Sequence, residues 1–173
     1  MKTSRTLLLA GLGFLCALFS APIVAAQAAD TILPATDAAK ILPDSVYFAG
    51  RSATTQLRNA TGVHFADGSF TLAVLVDTSG YSTAVQQKYQ GYLLTEAKLD
   101  FAGHKLAPGA YGFGFVGNRF VVMDIGSRDL LQVPSTHDSE SQHPMPLQLL
   151  TGTAPGEYRL CSARECVSFT RPH

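Results

Sequence analysis

Hydrophobic and polar residues alternate along much of the chain after Pro43. The alternation is clearest from Gln90 to Phe101, where one set of alternate positions is mainly apolar from Thr95 onward. A period of two places successive side chains on opposite faces of an extended backbone, so this stretch predicts a half-buried strand. Residues 45–49 form another short β-prone run. The pattern predicts an all-β fold.

Turn residues join several of these apolar runs into predicted β-hairpins. Asp-Gly and Gly-Asn pairs favour tight turns because glycine adopts positive φ at little cost. A Pro-Gly pair precedes two of the runs, where proline has no N–H to offer to a strand ladder. The predicted hairpins cover residues 62–77, 107–125 and 154–170.

Other segments predict less regular structure. Residues 37–42 favour one or two helical turns, ended by Pro43. Residues 51–61 fit either a loop or a short helix. Residues 81–89 fit an exposed strand or a short amphipathic helix, and we expect irregular structure that enters a strand. Residues 132–146 are polar and rich in proline, which predicts a surface loop.

The first 28 residues have the pattern of a secretory signal peptide. Lys2 and Arg5 precede an apolar run over residues 7–20, which is shorter than the roughly 20 residues of a membrane-spanning helix. An A-x-A sequence then predicts cleavage between Ala28 and Ala29, and residues 24–26 offer a second site. The sequence therefore predicts a secreted or periplasmic protein with no transmembrane anchor in its mature chain.

Cleavage would leave 173 − 28 = 145 residues, enough for one domain with one hydrophobic core. We expect a flexible N-terminal segment over residues 29–44 and a β-rich domain over residues 45–173. The predicted architecture is a single-domain antiparallel β-sandwich or flattened barrel of about seven to nine strands.

The charge pattern excludes some classes of partner. Two of the 13 basic residues and none of the 13 acidic ones lie in the signal segment, so the mature chain carries 11 − 13 = −2. Lysine and arginine are also scattered rather than clustered, so we expect no binding to nucleic acid. A cell-surface protein or a small ligand remains as a partner, and no cofactor is predicted.

Cys161 and Cys166 are the two cysteines that remain after cleavage. An isolated pair tends to join in an oxidising compartment, and the two residues face each other across the last predicted hairpin. We therefore predict a structural disulfide, which stabilises by about 2 kcal/mol because the loop it closes is short.

The polar loop near residue 140 contains His137, Asp138, Glu140 and His143, whose side chains are ligands for zinc and other divalent ions. Their spacing matches no helical motif such as H-E-x-x-H. Nearby serines do not lie in a G-x-S-x-G turn. We expect a solvated loop without tight metal binding. The alternative is a metal-dependent hydrolase that uses His137, Asp138 and His143.

Three further patterns have ordinary structural explanations. The glycines of residues 109–114 precede a strand rather than a helix, which argues against a phosphate loop and predicts a thin sheet face with close packing. Tyr81, Tyr89 and Tyr92 could line a groove, but half-buried strand tyrosines explain them better. Asn59 begins an N-glycosylation triplet, which matters only in a host that glycosylates exported proteins.

The stretch from Phe101 to Met123 contains the pattern L-x-x-G-x-Y, with Leu106, Gly109 and Tyr111 at its three named positions. It resembles a hairpin of small secreted bacterial β-sandwich families that have no assigned activity. Transthyretin-like and carboxypeptidase-regulatory-like modules share a weaker form. The resemblance implies a fold and transfers no catalytic residue.

Taken together, these features predict an exported, non-catalytic binding or accessory β-domain. The first alternative is the metal-dependent hydrolase, whose two histidine rings would converge with Asp138 beside a cleft. The second is a barrel that carries a small apolar ligand, which requires an internal cavity of at least about 300 Å³.

Overall fold

The structure is a computed structural model that describes residues 29–172. The predicted signal segment, residues 1–28, lies outside this part of the chain. Two antiparallel sheets and two helices of four residues make up the described fold. The helices are α1 (Ala35–Ala38) and α2 (Thr83–Gln86). The strands are β1 (Thr31–Leu33), β2 (Ser45–Phe48), β3 (Arg51–His64), β4 (Phe70–Val76), β5 (Gly91–Thr95), β6 (Leu99–Phe101), β7 (His104–Leu106), β8 (Gly109–Val116), β9 (Arg119–Met123), β10 (Asp129–Pro134), β11 (Thr136–His137), β12 (Gln148–Thr151), β13 (Glu157–Ser162) and β14 (Glu165–Thr170).

The larger sheet has the order β1-β3-β4-β5-β8-β9-β10, and β2 pairs with the first part of β3. The smaller sheet has the order β12-β13-β14-β6-β7, and β11 pairs with β14. Within residues 29–172 neither sheet closes into a barrel. The all-β prediction is therefore confirmed, with an open sandwich rather than a barrel. The described chain contains fourteen strands instead of seven to nine, because many of them are only two to four residues long.

The main core lies between the two sheets, where side chains of one face of the larger sheet meet the smaller sheet. Its aromatic rings are in direct contact, as between Phe101 and Phe120, whose ring centroids are 5.4 Å apart. Strand alternation brings these side chains to one face. Its deeply buried members include Phe65, Leu93, Leu99, Phe101, Phe113, Phe120, Leu160 and Phe169.

The opposite face of the larger sheet is buried as well. Strand β9 shows this alternation, since Phe120 and Val122 face the main core while Val121 and Met123 belong to a second cluster with residues of β2. A third cluster packs Ala38 of α1 against the sheet. Because both faces are covered, β4 and β9 consist largely of apolar residues without a polar side.

Strand β8 has glycines on the second face, and other parts of the chain approach it closely there. A Cβ atom on Gly112 would lie 2.3 Å from the ring of Phe48, and one on Gly114 would lie 1.9 Å from the carbonyl oxygen of Lys88. Neither position has room for a side chain. The prediction of a thin sheet face with close packing is confirmed, and these glycines lie within β8 rather than before a helix.

All three predicted hairpins are confirmed, as β3–β4, β8–β9 and β13–β14. The last turn is tighter than the sequence suggests. Ser162 pairs with Glu165, so only Ala163 and Arg164 form the turn, and Ala163 adopts a positive φ of 52°. Two-residue turns of this kind match the right-handed twist of the strands that they connect.

The predicted strand over residues 90–101 is two strands in different sheets. Strand β5 belongs to the larger sheet and β6 to the smaller one. The hydroxyl of Thr95 donates to the carbonyl of Ala97 at 2.7 Å and accepts from its N–H at 3.2 Å. Such local bonds compete with a strand ladder, which explains why the chain leaves the first sheet at this residue.

The N-terminal segment, expected to be flexible over residues 29–44, is an ordered part of the fold. Strand β1 pairs with the end of β3, and Ala38 of α1 is fully buried. Helix α1 starts after Pro34 and ends four residues earlier than the sequence indicates. This segment is rich in Ala, Thr, Pro and Asp, which predicts no regular structure, but long-range pairing with β3 orders it.

Three other segments also differ from their predictions. Residues 51–61, expected as a loop or short helix, form most of β3. Residues 81–89 contain α2 rather than irregular structure alone. Residues 132–146 are not entirely a loop, since they include the end of β10 and the short strand β11. In each case pairing or packing with distant residues outweighs local composition.

Candidate functional site

The His137 loop lies on the edge of the smaller sheet. His137 pairs with Glu165 across β11 and β14, and its Nδ1 is 2.9 Å from one carboxylate oxygen of Glu165. The hydroxyl of Ser135 donates to the other oxygen at 2.7 Å. The hydrogen bond from Ser135 lowers the pKa of Glu165 most, and the hydrogen bond from His137 lowers it further. In a catalytic triad the serine hydroxyl contacts the histidine. Here Ser135 and His137 instead bond to the two oxygens of the same carboxylate, so this arrangement does not activate Ser135.

The remaining residues of this loop have separate roles. The carboxylate of Asp138 accepts backbone N–H bonds from Glu140 at 3.1 Å and Ser141 at 3.2 Å, and lies 3.7 Å from the guanidinium of Arg159. His143 is exposed. Among residues 29–172 no three His, Cys, Asp or Glu side chains gather as a metal would require. The structure therefore does not bring His137, Asp138 and His143 together.

Cys161 and Cys166 form the predicted disulfide. The two residues are cross-strand partners in β13 and β14, with Cα atoms 4.1 Å apart and both side chains buried. Such a short separation is typical of a non-hydrogen-bonded antiparallel pair, the position expected from the sequence. The bond fixes the last hairpin from within the core.

A large bulge in β3 creates a second candidate site. Thr55 pairs with Val76 of β4, but the next paired residue is Ala60, opposite Val74. Four residues of β3, 56–59, therefore oppose a single residue of β4. The side-chain amide of Gln56 donates to the carbonyl of Val76 at 3.2 Å, which holds the bulge against the sheet. Bulges that redirect side chains often occur beside functional sites.

Three surface depressions meet at Arg58, which this bulge carries. The first has a volume of about 290 Å³ and is mainly apolar, the second about 300 Å³ and the third about 530 Å³. We call the three together the Arg58 groove. Its apolar part comes from β1, α1, β3 and β12, through residues that include Ile32, Leu33, Ala35, Ala60, Leu147 and Leu149. Pockets for small ligands have volumes from about 300 Å³ upward, so the groove has a suitable size.

The charge of Arg58 is not neutralised within the described residues. The side chain is exposed, and no carboxylate of residues 29–172 lies within the 4.0 Å of an ion pair. Asp77 lines the adjoining depression, but its carboxylate accepts the N–H of Ser79 at 2.9 Å. Hydrogen bonds from Ser79 lower the pKa of Asp77, and Arg58 takes no part in that shift. The apolar depression thus combines aliphatic walls with one arginine that forms no ion pair within the described residues.

The groove cannot be predicted from the sequence, because its walls come from four segments that are far apart in the chain. One local signal was present. Gln56, Arg58 and Asn59 interrupt the alternation of β3, and such a polar insertion between two paired stretches is typical of a bulge.

The other candidate residues are structural. Thr61 of the glycosylation triplet is buried, and its hydroxyl donates to the carbonyl of Leu33 at 3.3 Å and accepts the N–H of Leu149 at 3.1 Å. Tyr81 and Tyr89 are buried, and Tyr89 stacks on Phe48 with ring centroids 3.8 Å apart. These tyrosines belong to the second core cluster and line none of the three depressions.

Comparisons with family models, curated proteins and solved structures find no match to this chain. Within residues 29–172, neither helix has the length and apolar character needed to cross a bilayer. The similarity to secreted bacterial β-sandwich families therefore stays a prediction from the hairpin pattern alone.

Proposed function

We propose that this protein is an exported, non-catalytic binding domain and that its ligand occupies the Arg58 groove. The observation that carries the proposal is the meeting of three depressions at one exposed arginine with an uncompensated charge. An arginine stays protonated at all physiological pH values, so it binds and orients an anion rather than transferring protons. Apolar side chains beside it supply contact area. An arginine beside aliphatic side chains suits the binding of an amphipathic anion.

Two observations support export to a secreted or periplasmic location. A buried disulfide persists most readily in an oxidising compartment. Residues directly after the predicted cleavage site also contact the rest of the described fold. The carboxylate of Asp30 accepts the N–H of Ala66 at 2.8 Å and the hydroxyl of Tyr158. Cleavage after Ala28 would leave these contacts intact.

Export is tested by expressing the full chain with its leader and determining the mass and N-terminal sequence of the exported protein. We expect a mature chain that begins at Ala29. Material that begins at Met1 would contradict export with cleavage.

Binding is tested with the fluorescent dye 1-anilinonaphthalene-8-sulfonate, an apolar anion, added to the folded mature protein. We expect saturable binding that is lost in Ala35→Phe, because Ala35 lines two of the depressions and a phenyl ring would fill them. Ala84→Phe is the matched control, since Ala84 is an exposed residue of the other short helix. Equal dye binding by both variants would contradict the assignment of the groove.

A further inference from the structure

The apolar part of the Arg58 groove lies where β1 stops covering the edge of β3. Strand β1 pairs with β3 only as far as Leu33 opposite Gly62, and the chain then turns at Pro34 into α1. On the other side, β12 reaches the same edge through the bond between Leu149 and Thr61. Beyond this point, from Ala60 back to Arg58, β3 has no β1 partner and is bordered by aliphatic side chains.

The floor and the rim of this stretch differ in accessibility. Leu147 and Leu149 are almost fully buried and form a fixed floor, with 3% and 5% of their surface exposed. Met145 lies at the rim and is 52% exposed. A thioether side chain adapts its shape readily, so Met145 is suited to close over a bound alkyl chain. The apolar half of the groove therefore favours a flexible aliphatic group.

The polar half of the groove is defined by Arg58. Its guanidinium offers parallel N–H donors that match the two oxygens of a carboxylate, and such paired bonds are stronger than bonds between neutral groups. Asp77 is the acidic residue that lines the groove, and it borders only the third depression, so the apolar depression that contains Arg58 has no carboxylate of the described residues in its lining. An incoming anion would meet one free cation there.

We propose that the Arg58 groove binds a short-chain amphipathic carboxylate, with the carboxylate on the guanidinium of Arg58 and the alkyl chain against Leu147 and Leu149. This inference rests on the proposed function, because it names the ligand class of the same groove. The apolar depression has a volume of about 290 Å³, near the lower limit for ligand pockets, which selects a short chain. Octanoate is the probe that we choose.

The experiment is a calorimetric titration of the mature protein with octanoate, octanol and acetate at neutral pH and low salt. Octanol has the chain without the charge, and acetate has the charge without the chain. We expect octanoate to bind at least about tenfold more tightly than octanol, because it adds a charge-assisted bond, and at least about tenfold more tightly than acetate, because it buries alkyl carbons.

Variants assign the charge contribution to one residue. Arg58→Gln should weaken octanoate binding about tenfold and leave octanol binding unchanged. Arg58→Lys should give an intermediate affinity, because lysine keeps the charge and loses the paired geometry. Arg119→Gln is the control, since Arg119 is exposed and donates to Gln132 on β10, away from the groove. Circular dichroism confirms that each variant is folded.

The outcomes separate this inference from the proposed function. If octanol binds as tightly as octanoate, or if Arg58→Gln leaves octanoate binding unchanged, the carboxylate assignment is overturned while the groove remains a binding site. If acetate binds as tightly as octanoate, the role of the apolar floor is overturned. If neither octanoate nor the fluorescent dye binds, the inference and the proposed function both fail.

Discussion

Replacement of Gly114 by alanine tests the close packing on the second face of the larger sheet. The new Cβ would lie 1.9 Å from the carbonyl oxygen of Lys88, against a minimum of 3.0 Å for real Cβ contacts, so one backbone must move by about 1 Å. The Lys88 segment cannot move freely. Gln90 bonds to β8 three times, through its N–H to the carbonyl of Phe113 at 2.8 Å and through its side-chain amide to Phe115 at 2.9 and 3.0 Å.

The expected loss follows from these contacts. Overpacking costs about 1–3 kcal/mol, and each weakened hydrogen bond adds up to about 1 kcal/mol. Tyr89, next to Lys88 in the chain, would also shift from its stack on Phe48. We therefore expect Gly114→Ala to lower the free energy of unfolding by about 3–5 kcal/mol, which corresponds to a fall in Tm of roughly 10–20 °C.

The assay is equilibrium urea unfolding followed by circular dichroism, with Gly80→Ala as the control. A Cβ on Gly80 would lie 3.7 Å from the guanidinium of Arg51, an ordinary contact. The same Gly→Ala change restricts both unfolded chains, so the difference between the variants isolates the folded-state clash. If Gly114→Ala were within 1 kcal/mol of Gly80→Ala, on the order of the usual surface effect, the reasoning about close approach would be refuted.

Three other predictions concern stability. Reduction of the Cys161–Cys166 disulfide should lower the free energy of unfolding by about 2 kcal/mol, and two thiols that alkylate in native exported protein would contradict the bond. Tyr89→Phe should leave that free energy unchanged or raise it by up to about 1 kcal/mol in urea unfolding, because the buried hydroxyl has no hydrogen-bond partner in the described chain. A lower free energy of unfolding would show that the hydroxyl does have a partner. The pKa of Glu165 is lowered in the folded state by Ser135 and His137, so its contribution is complete above the ordinary value of 4.5 and is lost as the pH falls below it. Unfolding curves between pH 3 and about pH 6 should therefore show a shallower acid dependence for Glu165→Gln than for the unchanged protein, and parallel curves would argue against this pair.

Local chemistry made the hairpins predictable. The β3–β4 turn depends on Asp67 and Gly68, and the side chain of Asp67 accepts the N–H of Ser69 at 3.1 Å. Gly68 adopts a φ of 90°, which other residues rarely adopt. The Cys161–Cys166 pair was predictable for the same reason, since its two residues flank one turn. Interactions within a few residues can be inferred from a sequence without knowledge of the rest of the fold.

Long-range pairing was not predictable in this way. Strand β3 joins β1 and β4, and the β1 pairing connects residues about thirty positions apart, such as Thr31 and His64. Composition alone predicted a flexible segment over residues 29–44, and it left residues 51–61 open between a loop and a short helix. The His137 loop shows the reverse case, in which residues close in sequence do not form a shared site. Its possible metal ligands are neighbours in the chain, but His137 bonds to Glu165 of another strand.

The ordered N-terminal segment and the Arg58 groove share one cause. Ile32 and Leu33 border the apolar part of the groove only because β1 docks on the end of β3. Asp30, directly before β1, secures that docking through Ala66 and Tyr158. The first residues after the predicted cleavage site therefore complete a wall of the proposed binding site. Because the same short strand closes the fold and shapes the groove, a change that loosens β1 is expected to weaken ligand binding and stability together.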